Sequence, residues 1–377
     1  MKTRFILTLL ICLGSLLEAN GAEPLKVSFR SRALLDATLS DYGKEDWQGY
    51  YRLEDFRLGF KAVMGRCELR SDISFAAGKV SIKDLLFNYR FGHNVLSVGN
   101  GYEPYSMDML ISTVDMRFLQ SASSCLAFAN SRKLGVTLHH ATTHWYAATG
   151  LFSYNDINKL GKDDRTNAFI STSRLVWRPV NREGCLLHVG GAFSFRSKEA
   201  NVPEGELSVR TVESSGVTAL FDEPLLGTEV TGVGTEVKGL VEFLAAFPRF
   251  MVQGEYYLNR FNRDEGEAYC PQGGYVQAGI LLLGRGFDYD SMYAVPGRPS
   301  TDKAVELTLR YNYTNLNDRG AQLSGGKESD LSVGVNYYLN RHFGLKLDLH
   351  YVFVGDGCNA FYTKDCCMGQ MRVQYVF

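Results

Sequence analysis

The sequence predicts an all-β fold: a closed transmembrane antiparallel β-barrel of about sixteen strands, with a long third loop folded into the pore. Three observations carry that expectation. Apolar and polar residues alternate with the period of a strand through most of the chain. The connections between these segments alternate short and long. The final segment, MGQMRVQYVF, is one more such strand, with Met371, Val373, Tyr375 and Phe377 on one face and Arg372 and Gln374 on the other. An amphipathic last strand suits closure against the first, because a sheet in lipid satisfies every backbone group only by joining its edges.

At the start of the chain, Lys2 and Arg4 precede an apolar run from Phe5 to Leu17, and small residues follow at Ala19, Gly21 and Ala22. Residues 1–22 therefore read as a secretory signal peptide. Its apolar run is shorter than the ~20 residues of a membrane-spanning helix, and no later stretch reaches that length. Bulky Ile11 before Cys12 argues against lipidation. Residues 23–377 read as a single barrel domain of the bacterial outer membrane, since no Pro/Ser-rich linker or charge run divides them.

The first strand, 25–39, sets Val27, Phe29, Ala33, Leu35, Ala37 and Leu39 against Arg30, Arg32, Asp36 and Thr38. In the second, Phe56, Leu58, Phe60 and Ala62 oppose Arg57 and Lys61. After a tight turn at Gly65-Arg66, Cys67, Leu69, Ile73 and Phe75 oppose Glu68, Arg70, Asp72 and Ser74. Leu85, Phe87, Tyr89 and Phe91 then oppose Asp84, Asn88 and Arg90. The same period places further strands near 94–99, 133–140, 144–152, 168–178, 185–196, 235–247, 249–261, 273–284, 304–315, 330–340, 344–354 and 368–377. Long connections fall at 40–54, 100–132, 153–167, 197–234, 262–272, 316–329 and 355–367. The segment 285–303 is long yet falls on the short-turn side, and a weak strand at 206–211 would spoil the even count.

Composition agrees. Tyr (21), Phe (23) and Gly (38) are abundant and Pro (9) is scarce, which suits strands with one face to lipid and one to water. Removing the signal takes the formal charge from −1 to −2, and nothing points to a nucleic-acid partner. Seven cysteines remain at irregular spacing, no metal pattern among them, with Cys358 and either Cys366 or Cys367 a candidate pair across one loop. His139 and His140 point to opposite faces of a strand and cannot chelate one metal. No nucleophile elbow is present. The chain therefore reads as neither an enzyme nor a cofactor protein, although an outer-membrane lipase stands as a remote alternative. Trp47, Trp145 and Trp177 fit an aromatic belt at the membrane interface.

Alternation turns the ionic residues toward water. The basic ones are Arg30, Arg32, Arg57, Lys61, Arg70, Arg90, Lys133, Arg174, Arg178, Arg196, Lys238, Arg310, Lys346 and Arg372. The acidic ones are Asp36, Asp55, Glu68, Asp72, Asp84, Glu236, Glu242, Glu255, Glu306 and Asp348. The first four strands are the most basic, which leaves two compatible readings: a positive wall for anions, or pairing with Asp36, Glu68, Asp72 and Asp84 that stiffens the wall. The segment 100–132 has enough apolar residues to pack inside the barrel, which makes Tyr102, Tyr105, Ser112, Thr113, Asp115 and Arg117 the constriction candidates.

Several segments resemble the phosphate- and polyphosphate-selective porins of the porin O/P family. They are GNGYEPYSMDMLISTVDMRFLQSA (99–122) with SRKLGVTL (131–138), GEYYLNRFNR (254–263) with GGYVQAGILLLGR (273–285), and the closing AVELTLRYNYTNLND (304–318), SDLSVGVNYYLNRHFGLKLDLHYV (329–352) and RVQYVF (372–377). The resemblance implies an outer-membrane homotrimer passing small hydrophilic or anionic solutes, phosphate among them, by diffusion. Two departures stand out. Leu283-Gly284-Arg285-Gly286 lacks the family's Leu-Thr-Gly-Glu, and the third loop carries Asp108, Asp115 and a single Arg117 in place of a basic cluster. The resemblance thus carries architecture further than substrate. A non-conducting barrel with an adhesive or structural role at the surface is the rival reading.

Overall fold

A computed structural model describes residues 23–41, 47–159, 168–200, 202, 206–218, 224–359 and 364–377; the signal-peptide segment lies outside the described residues. The strands are β1 (Lys26–Ser40), β2 (Gln48–Met64), β3 (Cys67–Ser74), β4 (Ser81–Phe91), β5 (Asn94–Gly101), β6 (Lys133–Ala141), β7 (Trp145–Ser153), β8 (Phe169–Arg182), β9 (Cys185–Arg196), β10 (Val209–Ser214), β11 (Leu226–Thr231), β12 (Val233–Ala246), β13 (Phe250–Arg263), β14 (Gln272–Leu283), β15 (Phe287–Asp290), β16 (Val295–Pro299), β17 (Ala304–Asp318), β18 (Leu323–Tyr338), β19 (Phe343–Val354) and β20 (Cys366–Val376). Sixteen of them close one antiparallel barrel, in which only the hairpins β10–β11 and β15–β16 take no part. Closure runs from Arg32 opposite Val376 to Ser40 opposite Met368.

Alternation decides which face is which. Outward-facing Phe29 is 76% exposed and Leu151 62%, whereas inward-facing Arg372, Asp348 and Glu306 are fully buried. This is the inverse of a soluble sheet and suits lipid outside the wall. Trp145 and Trp177 stack at 6.1 Å on the outer face near the turn end, and Trp47 is exposed beside the opposite rim. His139 faces inward and His140 outward.

Two strands run past their expected ends. β2 begins at Gln48 and β18 at Leu323, so the connections expected at 40–54 and 316–329 shrink to 41–47 and 319–322. Beyond the lipid the outer face no longer has to be apolar, so the alternation fades while the hydrogen-bonded ladder continues. The weak strand at 206–211 overlaps β10 of the hairpin β10–β11, which forms a sheet of its own and is not a strand of the barrel wall, so the even count is preserved. The anomalous segment 285–303 holds the hairpin β15–β16.

The interior is not a water column throughout, contrary to what strand number suggests. Segment 102–132, with short helices Met107–Leu110 and Ser123–Phe128, packs against β12–β20, and the hairpin β10–β11 lies beside it. Tyr105, Cys125 and Phe128 of the segment, Val212 and Leu226 of the hairpin, and Tyr257 and Tyr275 of the wall form an apolar core inside the barrel. From the turn side, Ala294 of the β15–β16 turn packs on Tyr146 and Val176, and Tyr289 and Val295 pack near Leu244 and Met251. The seven described cysteines are all free. The candidate loop pair is not formed: the Cys358 thiol donates to the Lys327 carbonyl at 3.2 Å, Cys366 points inward and is buried, and Cys367 points to the other face.

Candidate functional site

The long segment is held by wall side chains that the alternation turned inward. Glu255 accepts from the N–H groups of Met107 (2.7 Å) and Asp108 (3.0 Å) and from the hydroxyls of Ser106, Tyr257 and Tyr275. Asp348 accepts from the Leu119 N–H at 2.7 Å, the Asn336 amide donates to the Arg117 carbonyl at 2.8 Å, and Lys346 donates to the carbonyl of Met116. Arg117 pairs with Glu306 at 2.9 Å with both side chains buried. Burial pushes the Asp108 carboxyl above its ordinary value, against the pull of Arg310 and the Ala122 N–H.

A cavity of about 520 Å³ lies between this segment, the hairpin β15–β16 and the inner faces of β1 and β3–β7. A recess of about 260 Å³ adjoins it and adds Arg32, Arg57 and Arg132 to the lining. Five guanidinium groups stand here over three carboxylates. Arg30 meets Asp72 at 2.5 Å, Arg32 and Arg57 share Asp55 at 2.7 and 2.8 Å, and Arg70 and Arg132 share Asp84 at 2.8 and 2.5 Å. Aspartate is short and stays at the wall, while arginine is long and ends above it. The three carboxylate side chains are accordingly 6–8% exposed, against 39% for Arg30 and 32% for Arg70. Gly59 makes room for this layer, since a Cβ there would stand 2.0 Å from an Asp72 oxygen.

The predicted constriction residues divide. Tyr102, Ser112 and Asp115 border the cavity, and Thr113 borders the recess. Arg32 reaches across to the Ser112 hydroxyl at 3.1 Å. Tyr105 and Arg117 do not border the opening; they are buried anchors of the segment, Tyr105 donating to the Gly239 carbonyl at 3.2 Å. The predicted wall residues divide as well. Arg30, Arg32, Arg57 and Arg70 gather at the opening, whereas Lys61 and Arg90 share Glu68 nearer the turn side, at 3.2 and 3.1 Å. Lys133 is tied to the Tyr154 carbonyl at 2.6 Å. Arg174 and Arg310 are corrections to the pore-lining expectation. Arg174 is covered by the hairpin, pairing with Glu242 at 2.9 Å and donating to the carbonyls of Tyr293 and Ala294. Arg310 is covered by the segment, lying over the Phe118 ring and donating to the Gln120 carbonyl.

Four charged lining residues outside the strand pattern are not among the predicted ones. Arg132 sits just before β6, and Arg298, Asp288 and Asp290 come from the hairpin, whose only trace in the sequence is its excess length. Tyr293 at the hairpin turn feels both sides of the cavity. Burial raises its hydroxyl above the ordinary value, the field of Arg70 opposes, and those of Asp290 and Glu68 add. Among the described residues no group of three or more His, Cys, Asp or Glu has the arrangement of a metal site.

The sequence pattern of the family described as "Phosphate-selective porin O and P" matches residues 26–377. The chain belongs to this family. The porin fold is shared with the anion-selective porin from Comamonas acidovorans (11% identity, TM-score 0.58, 94% of this chain and 100% of that one). It is also shared with OmpT, an outer membrane protein of Vibrio cholerae in trimer form (11% identity, TM-score 0.59, 94% and 100%). An uncharacterized protein of Caulobacter vibrioides is 28% identical over 301 residues, which cover 73% of this porin-family chain and 59% of that relative. The chain thus spans less than two thirds of that relative's length. Its place is the outer membrane, as a barrel of this family.

Proposed function

We propose that this outer-membrane barrel is a passive channel for small hydrophilic solutes with a mild preference for anions, phosphate among them. The observation that carries the reading is the layering at the opening, where Arg30 and Arg70 present their surfaces to the cavity and the paired carboxylates lie beneath. A paired arginine still lends its field and its free N–H groups to a passing oxyanion. The preference is mild because every one of these guanidinium groups has a carboxylate partner, although two pairs of them share one, and the segment adds Asp115 with no lysine cluster. Tyr102, Ser112, Thr113 and Asp115 form the opposing rim, and Lys61 and Arg90 add positive charge toward the turn-side mouth. Assembly as a homotrimer, in line with the trimer form of OmpT, and removal of residues 1–22 on export complete the reading; 23–377 is then one barrel domain.

Planar-bilayer recording tests it. The expected result is steady ohmic steps, with a reversal potential in asymmetric KCl of the sign for anions and permeation when phosphate replaces chloride. A cation-selective reversal potential overturns the role of the arginine wall. Silence would favour the rival reading, a closed surface barrel, to which the packed half of the lumen lends its one supporting feature.

A further inference from the structure

The arginine wall has an opposite. Across the same cavity the hairpin β15–β16 places Asp288 and Asp290, both exposed. Among the described residues Asp288 has no partner. Asp290 spends one oxygen, Oδ1, on the N–H groups of Met292 (2.8 Å) and Tyr293 (3.2 Å) at the turn, and its second has no partner among the described residues. Arg298 of the hairpin pairs with Asp115 of the segment at 2.8 Å. Two exposed carboxylates therefore stand on the hairpin surface, while buried Arg178, with no carboxylate partner among the described residues, donates to the Ser291 carbonyl beneath the turn and brings the net excess on this side to one negative charge. On the wall and its adjoining recess, five guanidinium groups over three carboxylates leave two positive charges in excess. The opening thus has a positive pole, with Arg30 and Arg70 on the cavity of about 520 Å³ and Arg32, Arg57 and Arg132 on the adjoining recess, and a negative pole at the hairpin; the cavity has the size of a small-molecule site.

We infer that the opening is a dipolar filter that favours small zwitterionic solutes such as free amino acids, with Asp288 and Asp290 as its specificity-determining acidic pole. A simple anion gains at the arginine wall and loses near the hairpin, and a simple cation does the reverse. A solute carrying a carboxylate and an ammonium gains at both. The two carboxylates approach through solvent, so each contact stays weak enough for release, which a channel requires.

The inference rests on the channel reading above, and the test separates the two. Proteoliposome swelling is measured with glycine and with its neutral isomer glycolamide, which match in composition and size. Wild-type protein is expected to admit glycine up to about fivefold faster, the scale of one exposed charge contact. In Asp288→Asn/Asp290→Asn the ratio should fall toward one, while the anion preference in bilayers should rise. The substituted amide at 290 keeps the oxygen that caps the turn, so the hairpin is retained. Equal entry of the two isomers into wild-type liposomes overturns the dipolar filter and leaves the channel standing. Entry of neither isomer overturns the channel itself. An unchanged reversal potential in the double variant would mean that the hairpin carboxylates lie off the permeation path, and the inference fails.

Discussion

On β1 and β3 the guanidinium groups of Arg30 and Arg70 lie over wall aspartates with about a third of their surface in the cavity, whereas on β8 and β17 those of Arg174 and Arg310 are wholly covered. All four point inward by the same alternation. The difference lies in what stands in front of them. On β13, β18 and β19 the inward-facing Glu255, Asn336, Lys346 and Asp348 serve as hydrogen-bond partners for the backbone of segment 102–132 and hold it in place. At Arg30 and Arg70 of β1 and β3 none of the described residues closes over the wall, and the wall carboxylates are met by arginines instead. Charge on the inner face of a barrel is therefore not charge in the pore.

The comparison breaks most visibly where the covered half loses an anchor. Arg117→Met leaves Glu306 as an unpaired buried charge and is expected to cost ~3–5 kcal/mol in denaturant unfolding, with a rise in single-channel conductance as the segment loosens. Unchanged conductance would mean that this anchor does not set the opening. In the open half, Gly59→Ala drives a Cβ into Asp72. The expected loss is ~1–3 kcal/mol, together with a weaker anion preference as Arg30 loses its seat. A fully stable variant with native selectivity would deny the layering.

The two halves are set directly against each other by neutralising their arginines. Arg30→Gln/Arg70→Gln should lower the anion-to-cation permeability ratio by up to about thirtyfold, from ~0.2–1 kcal/mol for each of two exposed charges. Arg174→Gln should leave the ratio unchanged and act on stability alone. Equal shifts in the two reversal potentials would dissolve the distinction. The smallest effect concerns Asp108. A carboxyl raised in the folded state keeps its proton after the unfolded chain has lost it, so stability falls as pH climbs from the ordinary 3.8 toward the folded value. Asp108→Asn, whose amide oxygen still accepts from Ala122, should flatten that decline. Parallel pH–stability curves for the two proteins would refute it.

Much of the wall was legible beforehand. Phe29, Leu35, Leu349 and Tyr375 outward and Arg30, Asp72, Asp348 and Arg372 inward follow from a period of two, which needs nothing beyond neighbours in the chain. The strand ends at Gln48 and Leu323 were missed because alternation reports lipid and not pairing. Arg132, Arg298, Asp288 and Asp290 were missed because they lie off the barrel strands, where no period assigns a side. Tyr105 and Arg117 were placed at the opening because apolar residues show that a segment packs, without showing which of its polar residues packs with it.

By itself the sequence determined the barrel, its sixteen strands, the side each strand residue faces and a basic first half. Only the tertiary structure decided which inward charges meet water, because that depends on contacts such as Arg174 with Ala294 and Arg117 with Glu306 between residues more than a hundred positions apart. Alternation is a local rule and fixes direction. Desolvation depends on whatever arrives from elsewhere in the chain, and it assigns one arginine to the structure and another to the pore.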